Sequence, residues 1–270
     1  MEYILITNNS EIAQYAQDCG VHRIMVDLEI KGKKERQGHL NTVISNHSLK
    51  DIENIRKVIS ISKLLVRVNP IDNESKDEIQ DVINLGADIV MLPMFTEPNE
   101  VKLFISYING KAKNCLLLET PQALVRVDDF IKIPNVNEIH IGLNDLHLGL
   151  KLSFMFELLS GGIVEYLSKK ICSAGINFGF GGIAKLGKGL VDSSLILSEH
   201  YRLNSKIVIL SRDFQGDAKN YKEFREQINL KLEIEKINNY LKELETMSQE
   251  MLISNKLLLK SKINDIVYNQ

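Results

Sequence analysis

Two acidic residues stand where apolar runs end: Glu119 in CLLLETPQAL and Asp145 in EIHIGLNDLHLGL. A carboxylate in such a place is costly unless it meets a cation, a hydrogen-bond donor or water. Arg67, in LLVRVNP, raises the same question with the opposite sign. Two carboxylates with few histidines nearby suit a hard divalent cation, Mg²⁺ or Mn²⁺, whose remaining positions go to water and substrate oxygens. A planar guanidinium fits a carboxylate or an enolate oxygen beside such an ion. Together the three groups would stabilise negative charge on a 2-oxo acid, the enolate of pyruvate being the simplest case. A structural reading competes: strand-end carboxylates also cap helices or pair with lysines, and a lone arginine is often an ion-pair partner. Spacing alone leaves both open.

Eight short apolar runs could carry these groups: YILIT, RIMVDL, KLLVRV, IVMLP, CLLLET, EIHIGL, FGFGGI and KIVILS. Most are continuous rather than alternating, as in strands of a parallel sheet covered on both faces. Helical patterns separate them, among them NSEIAQYAQDCG, SLKDIENIRKVIS, SKDEIQDVINLGA, PNEVKLFISYING and QALVRVDDFIKI. Asn9 or Ser10, Ser48 and Ser75 stand at N-cap positions, and Gly20 and Gly86 at helix ends. A repeated strand–helix unit predicts a (β/α)8 TIM barrel over residues 1–216. An open doubly wound sheet is the rival, but its glycine fingerprint is missing from ILITNNSE. In a barrel, strand C-termini share one mouth, so Asp27, Glu29, Arg67, Glu119 and Asp145 would surround one opening.

Beyond Phe214 the chain becomes rich in Lys and Glu, and residues 221–265 contain neither Gly nor Pro. This predicts a long helical segment within a C-terminal extension, 217–270, with Ile234, Ile237, Leu241, Leu244 and Met251 on one stripe. The stripe needs cover, from the barrel wall or from another subunit, and the latter makes the extension an oligomerisation element. The whole chain has 270 residues, 44% hydrophobic and 25% charged, with net charge −2. That balance argues against nucleic acid as a partner. Cys19, Cys115 and Cys172 lack metal-type spacing and read as small core residues of a reducing compartment. The first residues lack a signal-peptide pattern and no stretch spans a bilayer, so a cytoplasmic protein without membrane contact is expected.

LLVRVNP, GADIVMLPMF, LLLETPQAL and IHIGLNDLHLGL, in that order, resemble the HpcH/HpaI aldolase and citrate lyase β-subunit family. The resemblance covers roughly residues 20 to 215 and implies a modified (β/α)8 barrel that makes or breaks carbon–carbon bonds with Mg²⁺ or Mn²⁺. It implies Glu119 and Asp145 as metal ligands and Arg67 as the contact to a 2-oxo acid. It further implies the backbone amides of Asn144 and Asp145 as the site for the substrate carboxylate, with the turn at Pro93 lining the pocket. MVDLEIKG resembles the family's second-strand motif; Asp27 and Glu29 would hold metal-bound waters or orient the loop. Frequent trimers and hexamers in the family imply a homo-oligomer.

One departure stands out. In the aldolase branch the second-strand motif continues into a general-base histidine, and this chain has Ile30 there. His39, in the long polar segment 31–48, is the substitute candidate, since imidazole titrates near neutrality. His147 is a second candidate, whereas His47 reads as a lead-in to the next helix, and His22, His140 and His200 as structural. The glycine-rich FGFGGIAKLGKG (178–189), with Lys185, Lys188 and nearby Arg212, fits either a phosphate-binding turn or close packing. The expected function is a metal-dependent carbon–carbon lyase acting on a 2-oxo acid with an aldehyde or thioester partner. Alternatives are a citrate-lyase-like enzyme acting on a CoA thioester and a non-catalytic ligand-binding barrel.

Overall fold

Continuous apolar strands need cover on both faces, and the chain provides it by closing its sheet into a cylinder wrapped in helices. The computed structural model describes residues 1–32, 47–216, 218 and 220–269. Strands β1 (Glu2–Ile6), β2 (Arg23–Asp27), β3 (Lys63–Arg67), β4 (Ile89–Leu92), β5 (Lys113–Leu118), β6 (Glu138–Ile141), β7 (Asn177–Ile183) and β8 (Ile207–Leu210) follow one another around the barrel. Every neighbouring pair is parallel, and β8 closes on β1. The expected TIM barrel is the observed fold.

Side chains alternate across a strand, so residues two apart share a face. Ile4, Met25, Leu65, Ile89, Met91, Cys115, Leu117 and Ile207 fill the barrel interior as a cluster of their own. The floor is polar: Arg23 donates two hydrogen bonds to the Glu138 carboxylate and also pairs with Glu2. The alternation that puts Met25 inside thus sends Arg23 to the floor and Asp27 to the mouth.

The outer faces of the strands meet α1 (Ser10–Asp18), α2 (Leu49–Val58), α3 (Ser75–Asn84), α4 (Pro98–Ile108), the short α5 (Pro121–Val125) and α6 (Val127–Phe130), α7 (Leu143–Gly149), α8 (Glu157–Ser160), α9 (Ile163–Ser173) and α10 (Ser193–Arg202). Asn9 caps α1 by accepting from the amides of Glu11 and Ile12, and the Asp51 carboxylate closes a box on Ser48 ahead of α2. Gly20 and Gly86 follow their helices with φ of 91° and 99°, a conformation that favours glycine. Ser75 is not a cap: it is the first helical residue, and its hydroxyl accepts from the Asp72 amide. The pattern QALVRVDDF is split at Arg126, which leaves helical geometry while its guanidinium donates to Thr96 O at 2.7 Å.

The C-terminal extension is likewise divided, into α11 (Tyr221–Gln227), α12 (Leu230–Thr246) and α13 (Gln249–Tyr268). Each begins at a capping side chain, Asn220, Asn229 and Ser248, because such residues offer the backbone an alternative to continuing a helix. Ile234, Ile237 and Leu244 are buried as the stripe requires, and Leu259 and Ile263 of α13 join the core shared with the barrel. Met251 does not join them. The break at Met247 rotates it out of line, and it is 53% exposed. Lys256 of α13 pairs with Glu165 of α9 at 2.6 Å, so the extension packs on its own barrel. Of the cysteines, Cys19 and Cys115 are buried as expected, whereas Cys172 is exposed on α9. Among the described residues no helix is long and apolar enough to cross a membrane.

Candidate active site at the barrel mouth

Parallel registry sets Asp27 directly beside Arg67 at the ends of β2 and β3. Arg67 spends its planar fork on this neighbour: Nε and Nη2 each donate to an Asp27 oxygen at 2.8 Å. Its Nη1 lies 3.3 Å from Glu29. Asp27 and Glu29 are buried, and the guanidinium offsets part of the cost of holding their charge there. Burial works against the charge on Arg67, but Asp27, then Glu29 and Glu119, hold its pKa above the ordinary value. The ion-pair reading of Arg67 is therefore realised, and the same pairing fixes the guanidinium at the mouth.

Glu119 follows β5, two strands further round the rim from β3, and is 3% exposed. Its Oε1 accepts from the Met94 amide at 3.2 Å, and Met94 takes φ of 55° in the turn after Pro93. Pro93 is buried at that turn, and Met94, not singled out by sequence reasoning, is the residue that engages the carboxylate. A positive-φ methionine has no sequence signature. Gly142, after β6, makes room: a Cβ there would lie 2.7 Å from Glu119 Oε2. The next turn is the start of α7, where Asn144 and Asp145 sit half-buried. First-turn amides lack intrahelical acceptors, which makes those two backbone groups suited to an anion.

Burial pushes the Glu119 carboxyl up to about 8; Arg67 opposes the shift, while Asp145 and Glu29 add to it. Among the charges that act on the buried Glu119, Asp145 and Glu29 work with burial and Arg67 works against it.

A profile of HpcH/HpaI aldolase/citrate lyase matches residues 4–181. The chain belongs to that family. Aldolase and citrate lyase are both carbon–carbon lyase activities, and this HpcH/HpaI protein is a carbon–carbon lyase. Its fold is similar to that of an HpcH/HpaI aldolase from Desulfitobacterium hafniense DCB-2, at 12% identity and TM-score 0.59, over 78% of this chain and 85% of that one. It is also similar to an HpcH/HpaI aldolase/citrate lyase family protein from Burkholderia cenocepacia J2315, at 12% identity and TM-score 0.59, over 91% and 95%. No curated protein matches the sequence.

The family's divalent ion can be tested against this mouth. Among the described residues no group of three or more His, Cys, Asp or Glu is arranged to hold an ion. The donors in question are two carboxylates, Glu119 and Asp145, both hard oxygen ligands. That set fits Mg²⁺ or Mn²⁺, which keep several waters and share their sphere with substrate, and it does not fit zinc.

The histidines divide differently from the sequence expectation. His39 lies outside the described residues. His147 is buried, its Nδ1 against Leu143 O at 3.2 Å, and so belongs to its own helix. His47 does more than lead into α2: its Nδ1 accepts from the Asp27 amide at 3.0 Å, which places the ring at the end of β2. In the neutral ring the proton is then on Nε2. His22, His140 and His200 are bound to Tyr3 N, Gly181 O and Ser205 Oγ. Ile30, in the family's histidine position, is 57% exposed. In the glycine-rich segment, a Cβ on Gly179 would meet Ile207 O at 2.2 Å, so its strand half serves close packing of β7 on β8.

Proposed function

We propose that this HpcH/HpaI protein is a divalent-metal-dependent lyase that cleaves or forms a carbon–carbon bond to pyruvate or a related 2-oxo acid through an enolate. One observation carries the reading: the buried Glu119 stands at a barrel mouth where the charges of Arg67, Asp145 and Glu29 all act on it. Glu119 and Asp145 would hold Mg²⁺ or Mn²⁺, which when bound supplies positive charge to polarise a keto oxygen. The chain's own residues do the rest. The amides of Asn144 and Asp145 would bind the substrate carboxylate, and the turn at Pro93 would line its pocket. Asp27 orients Arg67, whose unspent N–H groups would stabilise the enolate oxygen as charge develops. Glu29 sets the other side of that guanidinium. His39 or a metal-bound water would move the proton.

The test is a Mn²⁺ titration followed by an assay for pyruvate release from 4-hydroxy-2-oxo acids. Binding near one ion per chain, lost in Glu119→Gln together with pyruvate release, is expected. A chain that binds no Mn²⁺ refutes the reading. Ile30 favours a second reading, a citrate-lyase-like reaction on a CoA thioester, and cleavage of a CoA substrate in place of the aldol would select it. A homo-oligomer, trimer or hexamer, is proposed as well. Ile253 and Leu257 stand exposed on α13, and the mass in solution tests it.

A further inference from the structure

The chain leaving β2 turns away from its neighbour soon after the mouth, yet Glu29 stays buried against Arg67. Among the described residues, backbone pairing to β3 runs as far as Leu28, whose amide donates to Arg67 O at 2.9 Å. Past that point the acceptors are side chains, and the Glu29 amide itself donates to Asp27 Oδ1 at 3.2 Å. Asn69 Oδ1 accepts from the Ile30 amide at 3.0 Å and from the Lys31 amide at 3.1 Å. On the other side of the same amide group, Nδ2 donates to Glu78 Oε1 at 2.7 Å, and the Asn69 backbone amide donates to the same carboxylate. Two N–H donors on one side and a carboxylate on the other allow only one orientation of the side-chain amide. Asn69 is 7% exposed, so these bonds have little competition from water. The Lys31 side chain adds a separate tie to the same segment, pairing with Asp72 and Glu74, but it is exposed and screened.

We infer that Asn69 is a positioning residue: its side-chain carbonyl extends the β2–β3 ladder by one step and thereby holds Glu29 against Arg67 for binding a 2-oxo acid. This rests on the function proposed above. Asp27 and Arg67 have their own bidentate bond and Asp27 also takes the Glu29 amide, so what Asn69 adds is a fixed exit for the chain at Ile30 and Lys31, and with it the direction from which the Glu29 side chain meets Nη1. An aspartate at 69 could still accept both amides, but its second oxygen would face the Glu78 carboxylate. Alanine could do neither.

The probe is oxalate, a planar analogue of the pyruvate enolate, measured by calorimetry at saturating Mn²⁺, beside the Mn²⁺ affinity alone. In Asn69→Ala, oxalate binding should weaken about 10-fold, as expected for a misplaced charged contact. Mn²⁺ affinity should stay within about twofold, because Glu119 follows β5 and Asp145 lies on α7, away from the tether. Amide exchange at Ile30 and Lys31 should accelerate selectively. Glu78→Gln keeps an acceptor for Asn69 Nδ2 and should leave oxalate binding near wild type. If Asn69→Ala does not fold, Asn69→Ser, whose shorter side chain cannot span both amides, is read instead. Unchanged oxalate affinity, or equal losses of oxalate and Mn²⁺, overturns the role of Asn69 alone. Absence of Mn²⁺-dependent oxalate binding in the wild type overturns the proposed function, and the positioning role with it.

Discussion

Protonation of Glu119 links the mouth of the barrel to the stability of the whole chain. Its carboxyl titrates near 8 in the folded protein, against a usual 4.5, because burial and the charges of Asp145 and Glu29 disfavour the ionised form. Between those two values the folded chain retains a proton that the unfolded chain has released. Stability therefore declines as pH rises through the interval and is fully retained only below it. At about 1.4 kcal/mol per pH unit, the interval corresponds to about 5 kcal/mol. Relaxation of the ionised side chain toward water would recover part of this, leaving a loss of at least about 2 kcal/mol. For a domain of this size that is a fall in Tm of about 5–15 °C between pH 5 and pH 9. The assay is thermal melting in chelator across that range, for wild type and Glu119→Gln, reading the difference between the two curves. The variant cannot ionise at 119, so its profile should be flatter. On the proposed function Mn²⁺ would bind the ionised carboxylate, so its stabilisation of the wild type should grow with pH; at 100 times Kd it would amount to about 2.7 kcal/mol. Parallel pH profiles for the two proteins would refute the reasoning, since the buried carboxylate would then carry no linked proton.

Three further outcomes follow from the geometry. Gly142→Ala places a Cβ 2.7 Å from Glu119 Oε2, and the displaced carboxylate should lower Mn²⁺ affinity at least about 10-fold while costing about 1–3 kcal/mol in urea denaturation. Arg67→Met removes the guanidinium paired with two buried carboxylates, Asp27 and Glu29, and should cost about 3–5 kcal/mol; adding Asp27→Asn should restore much of the stability and none of the lyase activity. Glu138→Gln, at the barrel floor, breaks the charge pair with Arg23 and should lower stability by a similar about 3 kcal/mol with kcat unchanged, which separates the two ends of the barrel.

The agreement between pattern and fold is uneven for identifiable reasons. Strand positions were legible because continuous apolar runs such as CLLLET have no stable place outside a doubly covered sheet, and β5 forms there. The helix breaks at Arg126, Asn229 and Ser248 were less so. Asn229 and Ser248 are ordinary cap residues visible in the chain, but a cap acts only where the following turn has something to pack on. Arg126 breaks its helix where its guanidinium meets a carbonyl thirty residues away. His47 looked like a lead-in to α2, and only the fold brought it to the Asp27 amide.

The sequence by itself determined which strand ends carry charge: a carboxylate or guanidinium closing an apolar run is a local fact, and the parallel barrel then sends all such ends to one mouth. What the charges do to one another was decided by tertiary structure alone. Whether Arg67 faces a substrate or Asp27, whether Glu119 keeps its proton, and whether Asn69 is an idle turn residue or a prop for Ile30 depend on distances of a few ångströms between separate strands. Such distances are set by registry and packing, to which no short stretch of sequence has access.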